Sequence, residues 1–264
     1  MQWINDFLHS ISPNRGKELY GLTGTVAMVV MLIAVIAYLV RMKAKPLVAL
    51  KGVAIAALAF FFSIFAQYFT VWYRVGFSFE KYEQESNLAL GFILLPLLAW
   101  LCAKTFNTTT AFAGDVVAFT LLGYHVIGRS GCVFSGCCYG FACDWGVYSF
   151  HTHGNQFPVC FVESLFTLAI LIFLIVRICR KGYVPDGKNL PYFLLFYGVC
   201  RFFSEMARES TKEDWLFWRI SDIHFHMLAL AAVGGFLLWR IVKKERSVAG
   251  EEEPDLPVLK GRRK

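Results

Sequence analysis

The sequence predicts an all-α integral membrane protein with seven transmembrane helices, its N-terminus outside and its C-terminus cytoplasmic. Three observations carry that prediction. The chain of 264 residues is 57% hydrophobic with 26 Phe and has a mean hydropathy of +0.52, whereas soluble domains run at roughly 45–50% apolar. Seven apolar segments recur, at 20–40, 49–72, 88–106, 112–128, 158–178, 190–207 and 221–241. Several approach the roughly 20 residues that a bilayer crossing needs. The runs are continuous rather than alternating, which argues against a β-barrel. Finally, Lys and Arg collect at one set of segment ends, the cytoplasmic ends by the positive-inside rule.

The stretch before the first segment, MQWINDFLHSISPNRGKELYG, has no basic region followed by an apolar core, so it does not read as a cleavable signal peptide. Trp3, Ile4, Phe7, Leu8 and Ile11 share one helical face, the pattern of an amphipathic surface segment. Tyr20 opens the first span, where a tyrosine is ordinarily an interfacial anchor. RMKAK (41–45) and Lys51 follow the first span. Arg177, Arg180, Lys181 and Lys188 flank the connection after the fifth, and Arg240, Lys243, Lys244 and Arg246 follow the seventh. With these ends inside, the connections 74–87, 129–157 and 208–219 face outward. Residues 1–245 form one membrane domain with 129–157 as its largest outer loop. Residues 246–264, containing EEEPD and KGRRK, read as a disordered cytoplasmic tail. No period of 20–50 residues repeats, so no transporter-like duplication is expected. The net charge of +7 belongs to loop ends. No basic face with interleaved aromatics appears, so nucleic acid is not an expected partner.

Charges inside apolar segments cost roughly 2.5–3.5 kcal/mol each on insertion scales and point to function. NLPYFLLFYGVCRFFSEMARES places Arg201, Glu205 and Arg208 at i, i+4 and i+7, on one helix face. One reading is a self-neutralising ion pair, or snorkelling at the outer end. Two arginines against one glutamate leave excess positive charge, which favours an anionic ligand such as phosphate. Arg129 ends the fourth segment in GRSGCVFSGCCYG (128–140). Glycines there permit close backbone approach, and the N–H groups of such a turn form an anion-binding nest. Glu163, in QFPVCFVES, reads by itself equally as a solvated interfacial carboxylate. His125, one turn before Arg129, reads as a helix-packing histidine.

The chain has eight cysteines. Cys132, Cys137, Cys138, Cys143 and Cys160 lie on or near the outer side, while Cys102, Cys179 and Cys200 lie in or near spans as small hydrophobes. The run C-x4-CC-x4-C, with no chain between its two pairs, is not the usual layout of zinc sites, and no metal or cofactor is expected. In an oxidising compartment, disulfides among Cys132, Cys137, Cys138 and Cys143 are the expectation, with connectivity unreadable from sequence. A metal site completed by His151 and His153, and a thiolate activated by Arg129, stand as alternatives.

Taken in order, these motifs resemble the prolipoprotein diacylglyceryl transferases, seven-span bacterial enzymes of the cytoplasmic membrane. GRSGCVFSGCCYG is similar to the family signature GR-x-GN-F-x-N-x-E-x-x-G through Gly128, Arg129, Gly131, Gly136 and Gly140. YGL (20–22) matches the family's tyrosine at the first span. FPVCFVE (157–163) matches HP-x-Q-L-Y-E through Pro158 and Glu163, and YGVCRFFSEMAR (197–208) matches YG-x-x-R-x-x-x-E-x-x-R through Arg201, Glu205 and Arg208. ISDIHFHM (220–227) sits where the family has S-x-G-Q. The chain departs from the family at Cys132 and Cys137, which stand at the signature's asparagine and glutamate. It also departs at Phe157, which replaces a histidine, and at ESNLALGF, which lacks the family's His-Gly pair.

The resemblance implies transfer of an sn-1,2-diacylglyceryl group from phosphatidylglycerol to the lipobox cysteine of a preprolipoprotein, with glycerol-1-phosphate leaving. It implies a multi-pass protein of the bacterial inner membrane whose active site faces the extracytoplasmic side. Its partners would be phosphatidylglycerol, the preprolipoprotein signal peptide and membrane lipids. The implied catalytic residues are Arg129, Arg201, Glu205 and Tyr20: the arginines stabilise the departing phosphate, Glu205 holds Arg201, and Tyr20 orients a donor oxygen. Gly128, Gly131, Gly140, Glu163 and Arg208 join Arg129 and Arg201 in holding the lipid. Two other readings stand beside this one. One is a divergent relative that binds anionic phospholipid and acts on another acceptor, or on none. The other is a thiol-redox or metal protein built on the outer cysteines.

Overall fold

The computed structural model describes residues 2–75, 89–150, 152–180, 182–209, 215–217 and 220–251. The connection 74–87, most of 208–219, His151 and the tail beyond 251 thus fall largely outside the described residues. Among the described residues lie nine helices: α1 Gln2–Ser10, α2 Pro13–Arg41, α3 Pro46–Val75, α4 Ala89–Ile93, α5 Leu95–Thr105, α6 Thr110–Ser135, α7 Val159–Cys179, α8 Asn189–Met206 and α9 Asp222–Glu251. Strands β1 Ala142–Ser149 and β2 Gly154–Gln156 pair antiparallel, as do β3 Trp215–Phe217 and β4 Ile220–Ser221.

Among the described residues, five helices are long and apolar enough to cross a membrane: Asn14–Arg41, Pro46–Ala66, Thr110–Ser135, Val159–Cys179 and Asp222–Ser247. The other two expected spans differ for physical reasons. The segment at 88–106 is split into α4 and α5 at Leu94. Pro96 supplies no N–H for the carbonyl of Phe92, and its ring crowds that carbonyl. Helix α8 has 18 residues but carries Arg201 and Glu205 in its last two turns.

Helix α2 begins earlier than the expected residue 20, because Ser12 caps it by accepting from the Arg15 N–H and Pro13 occupies its first turn. Helix α6 runs further than expected. It starts at the Thr109 cap, whose hydroxyl accepts from Phe112 N–H, and continues through Ser135 to Gly136 at φ 69°, a left-handed helix stop. Residues 128–135 are therefore helical. The predicted Gly-rich turn is confined to Gly136, and the predicted anion nest does not form, since the helix uses those N–H groups itself.

Helix α6 is the hub. Some 72% of its apolar window is buried, against 17–39% for the other four candidate spans, and α2, α3, α5, α7 and α8 all pack on it. Glycines bring α2 close: a Cβ at Gly123 would stand 2.8 Å from Met31 Cα, and one at Gly131 would stand 2.2 Å from Thr23 Oγ1. Small residues at helix contacts serve this purpose in membranes.

The outer connection is not a plain loop, so the chain is not strictly all-α. It folds as the β1–β2 hairpin, with Tyr148 opposite Asn155 and Ser149 opposite Gly154. Helix α1 docks on that hairpin. Asn5 Nδ2 donates to the Gly146 carbonyl and its Oδ1 accepts from Tyr148 N–H, each at 2.9 Å. Leu8 is fully buried with Cys132, Val133, Val147 and Cys160 in a second small core. Of the predicted amphipathic face, Leu8 and Ile4 pack inward, whereas Trp3 and Phe7 stay exposed.

Candidate functional site

Three helices deliver charge to one point. Glu163, in the second turn of α7, is 5% exposed. Its Oε2 accepts from Arg129 Nε at 2.6 Å, and Arg129 Nη2 also pairs with it. Its Oε1 pairs with Arg201, accepts from Arg208 Nη2 at 3.1 Å and accepts from Ser204 Oγ at 2.9 Å. Glu205 stands beside it, 2.7 Å from Arg201 Nη2 and 3.5 Å from Arg208 Nε. The predicted face of Arg201, Glu205 and Arg208 is thus real. Its excess charge is met by Glu163, the residue that looked weakest from sequence. Three guanidiniums against two carboxylates leave a formal +1. All five side chains are mostly buried, with Arg129 the most open at 16%.

The predicted glycines act through backbone and packing. A Cβ at Gly128 would sit 3.1 Å from the Tyr124 ring, and the Gly131 position lies 3.3 Å from Tyr20 Cδ2. Tyr20, half exposed on α2, is thereby packed onto the turn of α6 that follows Arg129. Gly140 is a junction of three chain segments. It donates to the Phe157 carbonyl at 3.2 Å and bridges to Arg208. A Cβ there would meet the Ala207 and Phe157 carbonyl oxygens at 2.8 Å each. Phe141 N–H to Ala207 O and Glu209 N–H to Tyr139 O, both 3.2 Å, complete the lock that holds the end of α8 and with it Arg208.

The thiols gather beside Arg129. Its Nη1 lies 3.9 Å from Cys132 Sγ and 4.0 Å from Cys138 Sγ. Cys137 Sγ is 3.6 Å from Cys138 Sγ, and the Cys160 thiol donates to the Cys138 carbonyl at 3.2 Å. All eight cysteines are free thiols, so the expected disulfides are not formed. Cys143 stands apart on β1, and Cys160 takes the place in the group that sequence assigned to it. Hydrogen bonds from Cys132, Cys137 and Cys160, helped by the Arg208 charge, hold the Cys138 thiol well below its ordinary range. A small cleft of about 30 Å³ opens here, lined by Cys132, Cys138, Cys160, Tyr139, Tyr148 and Phe157.

The histidines divide. His125 is buried, its Nδ1 3.2 Å from the Leu121 carbonyl and its ring against Phe92 and Tyr197, a packing role as predicted. His153 meets the Tyr148 hydroxyl at 3.4 Å on the hairpin, and His151 lies outside the described residues. His224, to which sequence assigned no role, is 1% exposed. Its Nδ1 accepts from Ser221 N–H at 3.0 Å, and its Nε2 has no hydrogen-bond partner among the described residues. It lies within electrostatic reach of Glu205 and Arg201. The signal that marks it is a histidine on the inward side of the last apolar segment.

The chain is similar to known proteins over most of its length. The family model described as prolipoprotein diacylglyceryl transferase matches residues 18–241. That range contains Tyr20, Arg129, Glu163, Arg201, Glu205 and Arg208. A relative from Clostridium perfringens (strain 13 / Type A), phosphatidylglycerol–prolipoprotein diacylglyceryl transferase 2, is 25% identical over 160 residues. The match covers 58% of this chain and 60% of the relative, less than two thirds of that protein's length.

Proposed function

The chain belongs to the prolipoprotein diacylglyceryl transferase family, and we propose that it moves the sn-1,2-diacylglyceryl group of phosphatidylglycerol onto the lipobox cysteine of a prolipoprotein. The observation that carries the reading is the convergence of Arg129, Arg201 and Arg208 on Glu163 with a formal excess of +1. That charge matches a phosphodiester monoanion. We place the site at the extracytoplasmic face of the inner membrane, in a seven-span topology that counts α4–α5 and α8 as the third and sixth crossings.

In the reaction, the acceptor sulfur forms a bond to the glyceryl carbon, and the carbon–oxygen bond to phosphate breaks. The electron pair leaves on the phosphate oxygen of glycerol-1-phosphate, and the thiol proton is released. Negative charge on the phosphate rises from one toward two as that bond breaks. Guanidiniums already fixed by carboxylates therefore bind the transition state more tightly than the donor. Arg129 is the most exposed of the three and makes the first contact. Arg201 and Arg208, held by Glu205 and Glu163, supply the fixed field. Tyr20, half exposed and packed on Gly131 two residues after Arg129, orients a donor oxygen. Both substrates are embedded in the bilayer and enter laterally between helices.

The test is incubation of the purified chain in phosphatidylglycerol vesicles with a lipobox peptide, read by mass spectrometry of the thioether product. Removal of one transition-state donor costs about 10²–10³ in rate, so Arg129→Ala is expected to lose at least that much. Folded protein that makes no product overturns the reading. So does transfer that survives Arg129→Ala but is abolished by Cys137→Ser.

A further inference from the structure

The geometry points to a second site in this molecule: Cys132, Cys137 and Cys138 bind one thiophilic metal ion of the zinc class through three thiolates, with the fourth coordination position open. Their Sγ atoms all lie within 4.8 Å of one another, and one pair is already at 3.6 Å. A tetrahedral zinc with Zn–S of about 2.3 Å sets its sulfurs about 3.8 Å apart. Small side-chain rotations therefore close the triangle around an ion. The linear spacing hid this. Helix α6 carries Cys132 to its last full turn, and the left-handed stop at Gly136 folds Cys137 and Cys138 back over it.

The surroundings suit a metal–thiolate centre. Arg129 Nη1 reaches two of the three sulfurs, the position of an outer-shell donor that orients ligands and stabilises their charge. Leu8, Val133 and Val147 form an apolar shell around Cys132. Cys137 is exposed, which leaves an entry path. A disulfide fits less well. Cys137 and Cys138 are adjacent, with Cα atoms about 3.8 Å apart, short of the roughly 4.4–6.8 Å that disulfides span. Three mutually close thiols also leave one unpaired. Cys160 is buried and is not one of the three cysteines whose sulfurs all lie within 4.8 Å of one another, so it stands outside the ligand set. The site runs against the sequence expectation of no metal, and it stands whether or not the chain transfers lipid.

The experiment uses the full chain, purified in detergent under metal-free, reducing conditions and then given zinc. Zinc is counted by plasma mass spectrometry and free thiols by titration. Roughly one zinc per chain is expected, with loss in Cys138→Ser and Cys137→Ser and retention in Cys143→Ser and Cys160→Ser. Cobalt(II) added to the unaltered chain supplies a second readout that needs no variant, a thiolate-to-cobalt charge-transfer band with tetrahedral ligand-field bands. The proposal is overturned if zinc in excess does not bind, or if Cys160→Ser loses zinc as Cys138→Ser does. It is also overturned if protein isolated without oxidant carries a disulfide among the three cysteines in place of the metal.

Discussion

Glu163 shows how one side chain sets the state of a site. It holds Arg129, Arg201 and Arg208 at once from the low-dielectric interior, where an unpaired charge is costly. Replacing it by glutamine changes the local formal charge from +1 to +2, with Glu205 left to pair with Arg201 and Arg208. Breaking a buried pair by removing one partner typically costs about 3–5 kcal/mol. Glu163→Gln is thus expected to lower thermal stability in detergent sharply and to abolish transfer, while Glu163→Asp recovers part of both. A melting curve for Glu163→Gln that overlays the parent curve would sink this account. Sequence made Arg201, Glu205 and Arg208 legible because their spacing lies within one helix. It did not reveal the role of Glu163, whose partners Arg129 and Arg208 lie 34 and 45 residues away and are brought in by packing alone.

At the level of elements, a tight backbone joint lies between α8 and α9. A Cβ at Gly234 would stand 2.5 Å from Leu195 N and 2.7 Å from the Pro191 carbonyl oxygen. Backbone atoms cannot rotate aside, so the two helices must part. Gly234→Leu is expected to cost about 1–3 kcal/mol or more, measured by thermal unfolding, and to reduce transfer because α8 carries Arg201 and Glu205. Gly235→Ala is the matched control: its nearest neighbour atom is 4.0 Å away, and a helical Gly→Ala exchange is favourable by about 1 kcal/mol. Equal destabilisation by both variants would refute the joint. The same scale explains where sequence reading strayed. Apolar runs marked the helices well. The split of the third segment, however, needed the backbone consequence of Pro96. The extension of α6 through GRSGCVFS needed α2, whose close approach makes Gly131 a helix-contact residue instead of a turn residue.

Across the whole molecule, α6 joins two polar layers. One is the Arg129–Glu163 site. The other is built around Asp115, which is fully buried and whose Oδ2 accepts from the Tyr38 hydroxyl at 3.1 Å and the Tyr183 hydroxyl at 2.7 Å. Asn189 donates to Tyr183 at 2.7 Å, and Arg177 Nε donates to Asn189 at 2.9 Å. Asp115 and Arg129 are 14 residues apart, about 21 Å along a helix, so the layers sit at different depths. The Asp115 layer lies at the end where Arg41, Arg177 and Arg180 cluster. With that end cytoplasmic, a fluorescent-protein fusion after residue 264 is expected to fluoresce and an alkaline phosphatase fusion there to be inactive. Phosphatase activity at that end would reverse the proposed orientation and put the arginine site on the wrong side. Sequence by itself determined the membrane class, the run of apolar segments, the order of the family's motifs and the shared face of Arg201, Glu205 and Arg208, because hydropathy, periodicity and local spacing are properties of neighbouring residues. Only the tertiary structure decided that Glu163 is the centre of the charge cluster and that Cys132, Cys137 and Cys138 form one group beside Arg129. Those arrangements depend on where α6 ends and on how α6, α7 and α8 pack, which no single stretch of sequence contains.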